Sequence, residues 1–215
     1  MTDTIASTIE ALKLNKMEAY FVETREEALK KALSYIKPHD TVSVGGSVTL
    51  KEIGILDALS KGNYNYLDRY SVSGDMVDKL FREVFTADAF FTSSNAVTQN
   101  GELFNVDGNA NRIAAMLFGP KNVIVIVGKN KIVKDIDEAI VRLKTIAAPK
   151  NAIRLKKNTY CAKTGHCIAL DSNHQCDIAY GCRSDDRICR DYVIMAEQGI
   201  KNRVKVIIVN EDLGY

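Results

Sequence analysis

Between Asp88 and Gly128 the chain reads DAFFTSSNAVTQNGELFNVDGNANRIAAMLFGPKNVIVIVG, in which two apolar segments, Ala87 to Thr92 and Val123 to Val127, bracket a polar turn and a short helical pattern. Uninterrupted apolar runs of this length are the pattern of strands buried in a mostly parallel sheet. The polar turn is therefore framed by core. It carries Ser93, Ser94, Asn95, Thr98, Gln99, Asn100, Glu102, Asn105, Asp107, Asn109 and Asn111, more small hydrogen-bonding side chains than a plain connection needs. Loops at strand ends are where open α/β sheets keep their sites. Gln99-Asn100-Gly101 also suits a hairpin turn with glycine at positive φ, and the two readings can hold together.

The rest of the chain alternates in the same style. Ile5, Ile9 and Leu12 repeat at helical spacing, and Met17 to Val22 has the composition of a strand. Thr24 with Glu27 forms a capping-box pattern for a helix through Ala28, Leu29, Ala32, Leu33 and Ile36, stopped by Pro38. His39 then reads as a surface or turn residue. A strand at Thr41–Val44 precedes a helix marked by Ile53, Leu56 and Leu59 and ended by Gly62. A short strand fits Tyr64–Tyr70. After it Ser73 is placed to cap a helix whose pairs Met76/Val77, Leu80/Phe81 and Val84/Phe85 read as one buried stripe. Asn109 can cap a helix through Ile113, Met116 and Leu117, with Arg112 in its first turn and Gly119-Pro120 closing it. Asp135 with Glu138 opens another helix along Ile136, Ala139, Ile140, Leu143 and Ile146, with Pro149 beyond it, and Val204–Val209 is a last strand. Such alternation implies a doubly wound α/β fold, a mostly parallel sheet with helices on both faces. A chain of 215 residues can bury one such core, so residues 1–215 are expected to form one domain.

Twenty-nine basic residues against 27 acidic ones leave a net charge of +2, which argues against a nucleic-acid or anionic-membrane partner. No apolar run reaches membrane-spanning length, and MTDTIASTIEALKLNKMEAY lacks the basic-then-apolar order of a secretion signal, so the expected location is cytoplasmic.

The run Gly45-Gly46-Ser47-Val48-Thr49 joins a strand to a helix start. Free backbone N–H groups and the positive end of a helix dipole would then meet where glycine allows close approach, the usual device for holding an anion. The alternative is that Ser47 or Thr49 caps the helix and the glycines only tighten the turn. On the first reading a small anionic metabolite sits on Gly45, Gly46, Ser47 and Thr49. Asn95, Gln99, Asn105 and Asn109 orient it, Arg112 pairs with its carboxylate or phosphate, and Glu102 or Asp107 serves as acid or base.

All five cysteines fall between Cys161 and Cys189, within TYCAKTGHCIALDSNHQCDIAYGCRSDDRIC, which also holds His166 and His174. In a reducing compartment such clustering favours metal binding or thiol chemistry over a disulfide framework. The gaps of five, eight, five and six residues are not those of a zinc ribbon. Clustered thiolates can nonetheless hold zinc or an iron–sulfur cluster, and the alternative is a set of free, partly buried thiols.

With GGSVTLKEIGI and SSNAVTQNGELFNVDGNANRIAAMLFGPKNVIVIVGKNKIV read out, the chain resembles the LUD-domain family of lactate-utilisation proteins, most strongly from Ile5 to Leu155. The resemblance implies the fold of ribose-phosphate isomerases and CoA transferases, with a ligand cleft at the strand ends. It implies a role in using lactate or a related organic acid, with no settled reaction. It also leaves open a non-catalytic, metal-bearing subunit of an oxidoreductase assembly, or a homodimer. The tail of small relatives resembles Cys-x5-Cys-x2-Cys-x6-Cys. Cys161, Cys167, Cys182 and Cys189 match that tail if Ile168–Gly181 contains an insertion, which leaves Cys176 as a spare or redox thiol in a Cys-rich segment, 158–190, set before the last strand.

Overall fold

The computed structural model describes all residues from Met1 to Tyr215. Ten strands form two sheets. In chain order they are β1 (Glu18–Val22), β2 (Thr41–Val44), β3 (Asn65–Leu67), β4 (Ala89–Thr92), β5 (Ala96–Thr98), β6 (Leu103–Asp107), β7 (Asn122–Gly128), β8 (Ile132–Val133), β9 (Asp191–Met195) and β10 (Val204–Val209). Six make a wholly parallel sheet in the order β1-β10-β7-β4-β2-β3. The other four, β8-β5-β6-β9, form a smaller sheet in which β6 is antiparallel to both neighbours. The helices are α1 (Asp3–Leu14), α2 (Arg25–Leu33), α3 (Val48–Glu52), α4 (Ile55–Lys61), α5 (Asp75–Glu83), α6 (Asn111–Leu117), α7 (Ile136–Arg142), α8 (Ala148–Arg154) and α9 (Tyr160–Thr164).

The parallel sheet is buried on both faces because its central strands β4, β7 and β10 are apolar at nearly every position. Along β7, Val123, Val125 and Val127 pack on one side with Ile5, Ile9 and Leu12 of α1 and Met116 of α6. Ile124 and Ile126 face the other side, with Ala28 and Ala32 of α2, Leu50 of α3 and Leu59 of α4. A third cluster, with Phe104, Val106, Ile140 and Leu143, lies between the small sheet and α7. The expected doubly wound α/β architecture is therefore present.

Several local expectations change. The helix after β2 breaks at Gly54, whose φ of 78° starts α4 anew. On α5 the apolar stripe is only half used: Leu80 is buried but Met76 is 54 % exposed. Pro149 does not end its helix, because a π-helical turn at Leu143–Ala147 carries α7 into α8. A wider turn of this kind lets the chain absorb a missing N–H donor. Asn109 does not cap α6, whose N-cap position is Ala110, in the left-handed region. The Cys-rich segment does not run directly into the last strand, since β9 follows it and pairs with β6.

The hairpin between β5 and β6 forms as expected, with Gly101 at φ 79°. Its tip is held from outside. The Nδ2 of Asn15, just past α1, donates to the carbonyls of Asn100 (3.1 Å) and Gly101 (2.9 Å). A Cβ on Gly101 would stand 2.6 Å from backbone atoms of Ala11 and Leu12. Gly101→Ala therefore combines a left-handed φ with a backbone clash and is expected to destabilise the fold by more than about 2 kcal/mol, measured by urea unfolding. A change below about 0.5 kcal/mol would show that the hairpin is not clamped on α1.

Candidate functional site

The parallel strands β2, β4 and β7 are neighbours, so their C-terminal ends deliver three loops to one place. After β2 come Gly45, Gly46 and Ser47, after β4 come Ser93, Ser94 and Asn95, and after β7 a turn brings Lys131. Between these loops, α6, α8 and the segment around Asp186–Arg190 opens a cleft of about 430 Å³. Strand-end crevices of this kind are the standard ligand position in open α/β sheets.

Arg112 is the hub of one wall. Its side chain is 11 % exposed and pairs at 2.8 Å with Asp107, which is 8 % exposed. It also donates to Asn105 Oδ1 (2.8 Å), Asn95 Oδ1 (3.1 Å) and the carbonyls of Ser93 (3.0 Å) and Val106 (3.1 Å). Asp107 accepts in addition the backbone N–H groups of Arg112 (2.9 Å) and Ile113 (3.1 Å), and so caps α6. Arg112 was expected to hold a ligand, and Asp107 to act as acid or base. In the fold each first satisfies the other. Gly45 belongs to the same arrangement: its N–H bonds to Phe91 O at 2.8 Å, and a Cβ there would lie 3.0 Å from Arg112 and from Thr92 Oγ1. Its lack of a side chain makes room for Arg112 and its N–H is spent on Phe91, which corrects the anion-binding reading for Gly45, while Gly46 stays exposed on the cleft rim.

Lys131 is the unexpected member. It is 3 % exposed, lines the cleft floor, and donates from Nζ to Thr49 Oγ1 (2.9 Å) and Ser93 Oγ (3.0 Å). No carboxylate is paired with it. Burial, and then the positive charges of Arg142 and Arg112, push its pKa down to about 7, against a smaller opposing pull from Glu52. Arg142, on α7, spends its donors on the carbonyls of Asn95 (2.6 Å) and Asn130 (3.1 Å), and burial lowers its pKa to about 10. Further out, Arg69, Arg154, Lys157 and Arg190 also line the cleft.

The cleft therefore gathers Gly46, Ser47, Asn95, Asp107, Asn109 and Arg112 from the expected set. Ser47 caps α3 through its Oγ, and α3 has only five residues. Thr49 lies behind the floor, fully buried beneath Lys131, and Asn105 is fully buried behind Arg112 with its Nδ2 unpartnered. Gln99 and Glu102 are not in the cleft at all. The hairpin carries Gln99 to a separate surface depression beside α1, and Glu102 turns back to accept a bond from Thr98 Oγ1. A catalytic carboxylate at Glu102 is thereby corrected: the strand reversal points it away from the strand ends. Lys131 was missed because a lysine in KNKIV, just past a strand, reads as solvent-facing. Its only signal is its place after the most apolar strand of the chain.

The expected thiol ligands also meet. Cys161, Cys167, Cys182 and Cys189 line one small apolar cavity beside α8 and α9, and Cys176 is exposed away from it. All five are free thiols, and burial pushes Cys161 and Cys167 up from the usual thiol range. No three His, Cys, Asp or Glu side chains close around a single-ion position. His166 and His174 bond instead to Asp171 and Asp177.

Residues 5–209 match the model of the LUD domain. The chain belongs to the LUD-domain family, which is associated with lactate utilisation. Among solved structures it is similar to a duf162 family protein from Deinococcus radiodurans, at 15 % identity and a TM-score of 0.53, with 97 % of each chain covered. A fainter likeness, at 13 % identity and a TM-score of 0.41, links it to ribose 5-phosphate isomerase from Plasmodium falciparum, covering 89 % of this chain and 96 % of that one. A search of curated protein sequences gave no match. No helix is long and apolar enough to cross a membrane.

Arg112→Met removes the partner of a buried carboxylate that also caps α6. It is expected to cost about 3–5 kcal/mol in chemical unfolding. Glu102→Gln, outside the cleft, should leave ligand-induced thermal shifts at their wild-type size.

Proposed function

We propose that this LUD-domain protein binds a small organic anion, of the 2-hydroxy or 2-oxo carboxylate class, at the floor of the strand-end cleft. The observation that carries the reading is Lys131, a buried amine facing the cleft with no carboxylate paired to it. Asp107, the one expected carboxylate on the cleft wall, is already bonded by Arg112, and Asp186 accepts from Lys157 and the Asn158 backbone. With Asp185 the lining holds three carboxylates against the cations Arg69, Arg112, Lys131, Arg154, Lys157, Arg187 and Arg190, and the surplus of positive charge is left to receive a carboxylate. Gly46, open on the cleft rim, and the hydroxyls of Ser47 and Ser93 supply polar contacts for a short, oxygenated ligand. The family's association with lactate utilisation agrees with that ligand class.

The pH dependence follows from the sign of the shift. With no anion bound, burial holds the Lys131 pKa down at about 7. A bound anion favours its charged form, so binding takes up a proton and affinity falls as pH rises through about 7. Calorimetric titration with lactate, pyruvate or inorganic phosphate should show tighter binding below that pH than above it. Lys131→Met should abolish the binding and, by removing a desolvated amine, raise stability by on the order of 1 kcal/mol. Equal affinity on both sides of neutrality, or wild-type binding by Lys131→Met, would overturn the assignment.

A further inference from the structure

We infer that Cys161, Cys167, Cys182 and Cys189 are the ligands of an iron–sulfur cluster. Four thiols, in two close pairs on either side of the Ile168–Gly181 excursion, converge on one cavity, while the fifth, Cys176, is carried out to solvent on that excursion. Packing alone does not require this selection. Aliphatic side chains would fill an apolar hollow with more buried surface and no reactive group.

The placing of the thiols around the cavity bears on the kind of site they can form. A tetrahedral zinc site, with Zn–S near about 2.3 Å, draws its four sulfurs close around one point. Here no three potential ligands close on a single-ion position, and the thiols instead stand around the cavity wall. A cluster suits that arrangement because it places its own iron and sulfide between the thiolates.

The surroundings suit it as well. Leu143, Ala148, Ile168, Tyr160, Tyr180 and Tyr192 line the cavity beside the thiols. Iron, sulfide and four thiolates together carry net negative charge, and this wall supplies positive charge and N–H donors. Arg187 Nε stands 3.3 Å from Cys189 Sγ. The Lys144 ammonium, 2 % exposed, is fixed beside the cavity by the carbonyls of His174 (2.8 Å) and Asp177. Thr159 Oγ1 lies 3.3 Å from Cys161 Sγ.

The test is anaerobic reconstitution of the full chain with iron, sulfide and thiol, followed by desalting and assay of iron, acid-labile sulfide and visible absorption. The wild type and Cys176→Ser are expected to retain iron and sulfide in equal amounts, with a broad visible absorption that bleaches on dithionite. Cys167→Ser and Cys182→Ser should lose most of all three. Wild-type protein that holds neither iron nor sulfide overturns the inference, even if the variants fail to fold. So does wild-type protein that takes zinc stoichiometrically, gives a four-sulfur spectrum with cobalt and retains no sulfide. Retention by Cys182→Ser, or a loss by Cys176→Ser as large, overturns the ligand assignment. None of these readouts depends on an anion in the cleft, so the two proposals stand or fall separately.

Discussion

The ion pair between Arg112 and Asp107 ties together parts of the chain that are distant in sequence. Asp107 ends β6, in the small sheet, and caps α6, which packs on the large one. Arg112 reaches back to the loop after β4 and packs against Gly45, after β2. Two sheets and two strand-end loops therefore share one guanidinium. A buried pair of this kind repays its desolvation only when its remaining donors and acceptors are satisfied. Here the surrounding carbonyls and the side chains of Asn95 and Asn105 do that.

This arrangement determines what is left for a ligand. The carboxylate and guanidinium that look most like acid, base and anion clamp are occupied in holding the wall. The unpaired charge is instead Lys131, seated beneath the wall on two hydroxyls whose own protons can go to carbonyls: Thr49 to Leu213 at 3.3 Å and Ser93 to Ser94 at 3.5 Å. With Arg112 and Arg142 nearby, a charged Lys131 has neighbours of its own sign and no counter-ion. An anion would complete the set. The cleft floor is thus left with a buried amine that no carboxylate pairs.

How much of this was legible depends on whether the cause was local. Strands β4, β7 and β10 announce themselves because burial on both faces makes nearly every residue apolar, and Gln99-Asn100-Gly101 announces the hairpin because its φ requirement is local. The role of Gly45 was misread because what it makes room for, Arg112, is far away in sequence. Glu102 and Asp107 looked equivalent on one stretch, but a strand of alternating direction sends one to the hairpin tip and the other to the cleft. Strand β9, DYVIM, is brief and follows the irregular cysteine segment, so only its pairing with β6 defines it. Lys131 was hidden for the opposite reason, since its type points to solvent and its position to core.

The thiol cavity and the cleft are not independent structures, because one short segment serves both. Between Cys182 and Cys189 run Asp185, Asp186, Arg187 and Ile188, all of which line the cleft. Arg187 makes the connection directly: it faces the cleft while its donors hold the carbonyls of Cys182 (3.2 Å), Ala179 (2.7 Å) and Cys189 (2.9 Å), and approach Cys189 Sγ. That stretch has no regular secondary structure and few apolar anchors of its own. Side-chain and backbone bonds from Arg187 therefore do much of the work of placing it. A cluster ligated at both ends of the segment would fix its two ends to the α8–α9 wall, and with them the outer rim of the cleft.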